Sequence, residues 1–129
     1  MSKKVIVPKG SPPPLAPYSP GVLAGDTLYI AGTLALDAKG NLVGANDVRK
    51  QTRQVLENIG AVLSTAGGSF ADIVNNTIYL KTYQDYSAMN EVYGEFFPSA
   101  PPARACIKAE LVKPEFLIEI ASVAYLKAP

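Results

Sequence analysis

The run Thr27-Leu28-Tyr29-Ile30-Ala31-Gly32-Thr33-Leu34-Ala35-Leu36 decides the fold. Read as an extended strand, it carries Leu28, Ile30, Gly32, Leu34 and Leu36 on one face and Tyr29, Ala31, Thr33 and Ala35 on the other. Small or apolar side chains occupy both faces, so the sheet that holds this strand should be covered on both sides. Gly25-Asp26 turns the chain into the strand, and residues 37–41, with Gly40, read as a hairpin turn into Leu42-Val43.

Working outward, Asn46 or Asp47 caps a helix whose stripe is Val48, Thr52, Val55, Leu56, Ile59, Val62, Leu63 and Ala66, ended by Gly67-Gly68. Its other face, with Arg49, Lys50, Arg53 and Glu57, reads as solvated. Residues 72–82 are β-branched and predict a strand. Asp85 caps a second helix with the stripe Tyr86, Met89, Tyr93, Phe96 and Phe97, which Pro98 ends. Residues 103–111 and 117–126 then alternate as two strands. A short strand at residues 5–7 precedes a proline-rich segment, residues 11–21, expected as a rigid surface loop. The order of hairpin, helix, strand, helix and final hairpin predicts an α+β domain, a mixed sheet with two helices on one face. Two helices cannot cover both faces, which leaves the other for a second subunit.

Composition narrows the function. A chain of 129 residues suits one domain, residues 1–129, with a substantial core. Twelve basic against eleven acidic residues give a net charge of +1, and no basic run is interleaved with aromatics, so nucleic-acid binding is not favoured. No apolar run reaches membrane-spanning length, and Pro8 interrupts the amino-terminal stretch, so a cytoplasmic protein without membrane contact is expected. One cysteine allows no internal disulfide. The chain has no histidine. That removes Ser-His and Cys-His pairs and the commonest zinc sites, and leaves proton transfer to a carboxylate, tyrosine, lysine or water. Neither a metal nor an organic cofactor is expected.

The candidate chemistry sits in the last two strands. Arg104 and Cys106, two residues apart, project from one strand face, and an arginine in an alternating apolar strand demands an anionic partner. That partner is either a bound carboxylate or Glu119. Glu119 is the candidate for handling water and protons, or else the salt-bridge partner of Arg104 or Lys108. Cys106, with no histidine to activate it, reads as a small pocket-lining residue.

The motifs Ala16-Pro17-Tyr18-Ser19-Pro20-Gly21, Tyr29-Ile30-Ala31-Gly32-Thr33, Ala66-Gly67-Gly68-Ser69, Asn90-Glu91-Val92-Tyr93-Gly94-Glu95-Phe96-Phe97, Pro102-Ala103-Arg104-Ala105-Cys106 and Ile118-Glu119-Ile120 follow one another along nearly the whole chain. In order and spacing the sequence resembles the reactive intermediate deaminases, the RidA/YjgF family. The resemblance implies a chorismate-mutase-like fold, a homotrimer around a central barrel, and active sites in clefts between subunits. It also implies a cofactor-free enamine or imine deaminase for small carboxylate-bearing substrates. Arg104 and Glu119 would be its catalytic residues, and Arg104, Cys106, Tyr18, Gly32 and Asn90 would contact substrate. Pro14-Leu15-Ala16-Pro17 and Leu111-Val112-Lys113-Pro114 look like the RutC branch, which deaminates 3-aminoacrylate in uracil degradation. Ala31 stands where the family commonly has serine, and Pro20 and Thr33 stand where the main RidA branch usually has glutamine.

Overall fold

The computed structural model describes residues 2–12 and 14–126. Six strands and two helices follow one another as β1 (Lys4–Ile6), β2 (Gly21–Ala24), β3 (Thr27–Thr33), α1 (Val48–Thr65), β4 (Ile73–Leu80), α2 (Tyr86–Phe96), β5 (Ala103–Lys108) and β6 (Ile118–Tyr125). They form one mixed sheet in the order β1-β2-β3-β6-β4-β5, in which β4 and β5 are parallel and the other neighbours antiparallel. Both helices pack on the same face, as expected for this α+β class.

The core lies between that face and the helices. Val55, Leu56, Ile59 and Leu63 of α1 and Met89 and Tyr93 of α2 meet Leu28, Ile30, Ile78, Leu80, Ile118 and Ile120 of the sheet. Full burial of each aliphatic side chain here contributes roughly 1.5–3 kcal/mol relative to exposure. Local signals set the ends of α1. The Asp47 carboxylate accepts from the Lys50 amide at 3.1 Å, and Gly67, at φ 89°, supplies the left-handed turn after the last residues. Gln51, outside the predicted stripe, is fully buried. Its amide donates to the Gly44 and Glu115 carbonyls and accepts from the Leu117 amide, which fastens the loop before β6 to α1.

Several expectations need correction. The last two strands are not a hairpin, because β4 lies between them and β5 runs parallel to β4 at the sheet edge. The 37–41 turn reverses the chain as expected, with the Asp37 amide donating to the Asn41 carbonyl and the Val43 amide to the Ala35 carbonyl. The regular strand β3, however, ends at Thr33 rather than Leu36, so Leu36 and Leu42 meet in an isolated antiparallel bridge. Asp85 makes no side-chain cap; a short 3-10 turn, Tyr83–Asp85, leads into α2, and the Thr82 hydroxyl accepts from Gln84 N instead. The face with Arg49 and Arg53 is exposed, as expected, and it also carries ion pairs. One turn apart on α1, the two arginines pair with Glu91 and Glu95, one turn apart on α2, at 2.7 and 3.0 Å.

The face away from the helices carries no layer of its own. Strand register places Val5, Val22, Tyr29 and Val123 in one row across it, and Ile107, Tyr79 and Glu119 in another. Val5, Tyr29, Ile107 and Tyr125 on this face are each between 47% and 52% exposed. No helix among the described residues is long and apolar enough to cross a membrane.

Candidate active site

The end of β3 is irregular, and that irregularity builds half of the site. Ile30 pairs with Ser122 and Thr33 with Ile120, so Ala31 and Gly32 together oppose a single residue of β6. Strict alternation would put Gly32 beside Ile30 on the helix side. The extra residue instead brings it to the opposite face, against Glu119. A Cβ built on Gly32 would lie 2.9 Å from Cδ of Glu119, so glycine is what lets the carboxylate lie there. The Pro20 carbonyl accepts from the Ala31 amide at 2.9 Å, and this ties the proline segment to the bulge.

A cleft of about 560 Å³ opens at this point, lined by Leu15, Ala16, Tyr18, Ala31, Gly32, Leu34, Val112, Lys113 and Glu119. Three of the predicted residues, Tyr18, Gly32 and Glu119, therefore meet in one chain. The apolar walls push the Glu119 carboxyl above the ordinary glutamate value of 4.5, because burial disfavours its charged form. A carboxyl whose proton affinity is raised by an apolar cleft is suited to hand a proton back after taking it from water. A second cavity, of about 300 Å³, lies between the proline segment, the end of β3 and α1, where Gln54 and Asn58 hold the Leu34 and Leu36 carbonyls.

Arg104 and Cys106 lie elsewhere. In β5 they pair laterally with Asn76 and Ile78, which pair in turn with Ser122 and Ile120, all on the helix side. The shared face predicted for Arg104 and Cys106 is therefore observed. Glu119 faces the other way, and β4 separates it from β5. Neither the Arg104–Glu119 nor the Lys108–Glu119 pair forms, and the ion pairs among the described residues are the two between the helices. Arg104 instead donates through Nη2 to the Tyr86 hydroxyl at 3.0 Å, with its guanidinium 4.8 Å from the Tyr93 ring centre. Asn90 lies between these tyrosines along α2. Burial pushes the Cys106 thiol above its ordinary value, with Arg104 pulling weakly the other way, so the thiolate is disfavoured at neutral pH. No cluster of three or more potential metal ligands occurs among the described residues.

Residues 9–126 match the protein family described as Endoribonuclease L-PSP. The chain belongs to that family, the RidA/YjgF group. YyfA, a Rid-family protein from Yersinia pestis, is 35% identical, with a TM-score of 0.90 over 97% of this chain and 100% of its own. RidA from an Antarctic Psychrobacter is 31% identical, with a TM-score of 0.88 over 95% and 99%. TdcF from E. coli, solved with bound serine, is 29% identical, with a TM-score of 0.88 over 96% and 99%.

In this RidA/YjgF chain the sequence reading missed two neighbours of the candidate residues. Lys113 reaches the Glu119 cleft from a loop without periodicity, so no pattern marked it. Tyr86 was assigned to the apolar stripe of α2, yet it is 44% exposed and bonds Arg104. Its spacing from Asn90 and Tyr93, four and seven residues, was the available signal, since it puts all three on one side of the helix.

Proposed function

We propose that this protein is a cofactor-free deaminase of small carboxylate-bearing enamines and imines, with 3-aminoacrylate as its substrate and malonic semialdehyde and ammonia as products. The observation that carries the reading is the Glu119 carboxyl, raised by burial and held against Gly32 in a cleft beside Tyr18, within a RidA/YjgF chain. After tautomerisation to the imine, Glu119 takes a proton from water as the oxygen adds to carbon. It returns that proton to nitrogen to give the carbinolamine, and then takes the hydroxyl proton and passes it to nitrogen as the carbonyl forms and the C–N bond breaks, releasing ammonia. Arg104 holds the substrate carboxylate through paired charge-assisted hydrogen bonds. TdcF, a relative that binds serine, supports a carboxylate ligand for this scaffold.

Arg104 and Glu119 lie on opposite faces of one sheet, so a site using both needs a second copy of the chain. The homotrimer implied by the family resemblance supplies one, and the uncovered apolar face is what such an assembly would bury. Cys106 lines the Arg104 side and does no covalent work, in keeping with its raised thiol. The endoribonuclease description of the family draws little support from a nearly neutral chain. The deciding measurement is ammonia release from freshly generated 3-aminoacrylate and 2-aminoacrylate side by side. Faster acceleration of the 3-isomer, strongly reduced in Arg104→Lys, is expected. Preference for the 2-isomer would move the protein to the broader RidA reading, and binding without acceleration would make it a carboxylate-ligand protein.

A further inference from the structure

We propose that Tyr86 is a positioning residue of the Arg104 anion site, an inference that rests on reading Arg104 as the carboxylate anchor. Arg104 stands on an edge strand, where a long side chain is free to sample many rotamers. Ordering such a side chain on ligand binding weakens affinity, and ordering it beforehand removes that cost. Two aromatic residues of α2 do the ordering here.

Tyr93 forms the fixed side. Its ring centre is 4.8 Å from the guanidinium carbon, and its hydroxyl accepts from Asn76 Nδ2 at 2.9 Å. Asn76 Oδ1 accepts in turn from the Ser122 hydroxyl. Asn76, Ser122 and Tyr93 are all buried, so this polar chain from β6 through β4 to α2 locks the ring under Arg104.

Tyr86 forms the solvent side. Its ring centre is 5.7 Å from the guanidinium carbon, and its oxygen accepts from Nη2 at 3.0 Å. That bond sets the guanidinium direction and leaves the other N–H groups for a carboxylate. Because the phenol oxygen accepts from Arg104, its own hydrogen points away from the guanidinium and is available to the same anion. The core does not depend on this side chain, so a merely structural tyrosine would leave anion binding unmoved.

Propionate, which cannot react, is the probe. Titrating it against wild-type protein while following the arginine side-chain NMR signals gives a dissociation constant. Tyr86→Phe keeps the ring and removes the hydroxyl. The expected result is an affinity about tenfold weaker, the usual effect of losing one hydrogen bond to a charged group, with an unchanged unfolding midpoint. Tyr86→Leu, which also loses the ring, should weaken binding further. Wild-type affinity in Tyr86→Phe overturns the proposal, and so does failure of that variant to fold, which would assign the hydroxyl to the core. Propionate binding that is lost in Arg104→Lys and weakened in Tyr86→Phe, without any acceleration of enamine hydrolysis, would sink the deaminase reading and leave the role of Tyr86 standing. Absence of saturable propionate binding to the wild type removes the anchor and this proposal together.

Discussion

Glu119 owes its raised proton affinity to its place, because burial disfavours the charged carboxylate. The sign follows from linkage. A carboxyl that holds its proton more tightly when folded contributes stability below pH 4.5, its ordinary value, and loses that contribution as pH rises through the raised value. Wild type should therefore lose ground to Glu119→Gln in denaturant midpoint as pH rises through that window. A constant difference between the two would show that the carboxyl titrates normally. The acid limb of kcat/KM should also lie above that of free glutamate and vanish in Glu119→Gln. Cys106 has no such role, and Cys106→Ala should keep most of the deaminase rate; complete loss in a well-folded variant would point to a covalent thiol. At this scale the pairing of Arg104 with Cys106 could be read from sequence because β5 is straight and its period is two. The place of Gly32 could not, because a bulge inserts one residue and no residue type in Ile30-Ala31-Gly32-Thr33 announces it.

The bulge also yields a sharp test among the elements. Gly32→Ala puts a methyl group against the Glu119 carboxyl, so the rate should fall steeply while far-ultraviolet circular dichroism stays native. An unimpaired rate would mean that the carboxylate works from another position. The α1 cap is a local matter: Asp47→Ala should lower unfolding free energy by about 1 kcal/mol and leave substrate turnover alone. The rungs Arg49–Glu91 and Arg53–Glu95 are more than 40% exposed on every side chain, so they steer α2 against α1 and add little stability. Helix positions were readable from caps and 3.6-residue stripes. The partnership of β5 was not, because sequence neighbours are the natural guess for a hairpin. Parallel pairing with β4 uses α2 as its crossover, and that is a property of the whole chain rather than of either strand.

For the whole molecule the uncovered face is the consequential feature. Val5, Tyr29, Ile107 and Tyr125 leave half-exposed apolar side chains across it, and we propose that another copy of the chain covers them. Tyr29→Glu should shift sedimentation toward monomer and, if the site is shared between copies, abolish turnover without unfolding the chain. A variant that assembles and turns over normally would exclude this face as the contact. The uncovered face was foreseeable from the count of two helices against an apolar sheet. The division of Arg104 and Glu119 between opposite faces was not, since it depends on which strand lies between them.

The position of β6 has a further consequence for how the molecule comes into being. It is the last of the six strands in the chain, yet it lies in the interior of the sheet and bridges β3 to β4. On the ribosome, the hairpin of β2 and β3 and the pair β4-β5 can form early, but they remain two separate pieces until β6 emerges and joins them. Joining must wait for contacts between residues as far apart as Thr27 and Tyr125, which favours slow, late and all-at-once completion.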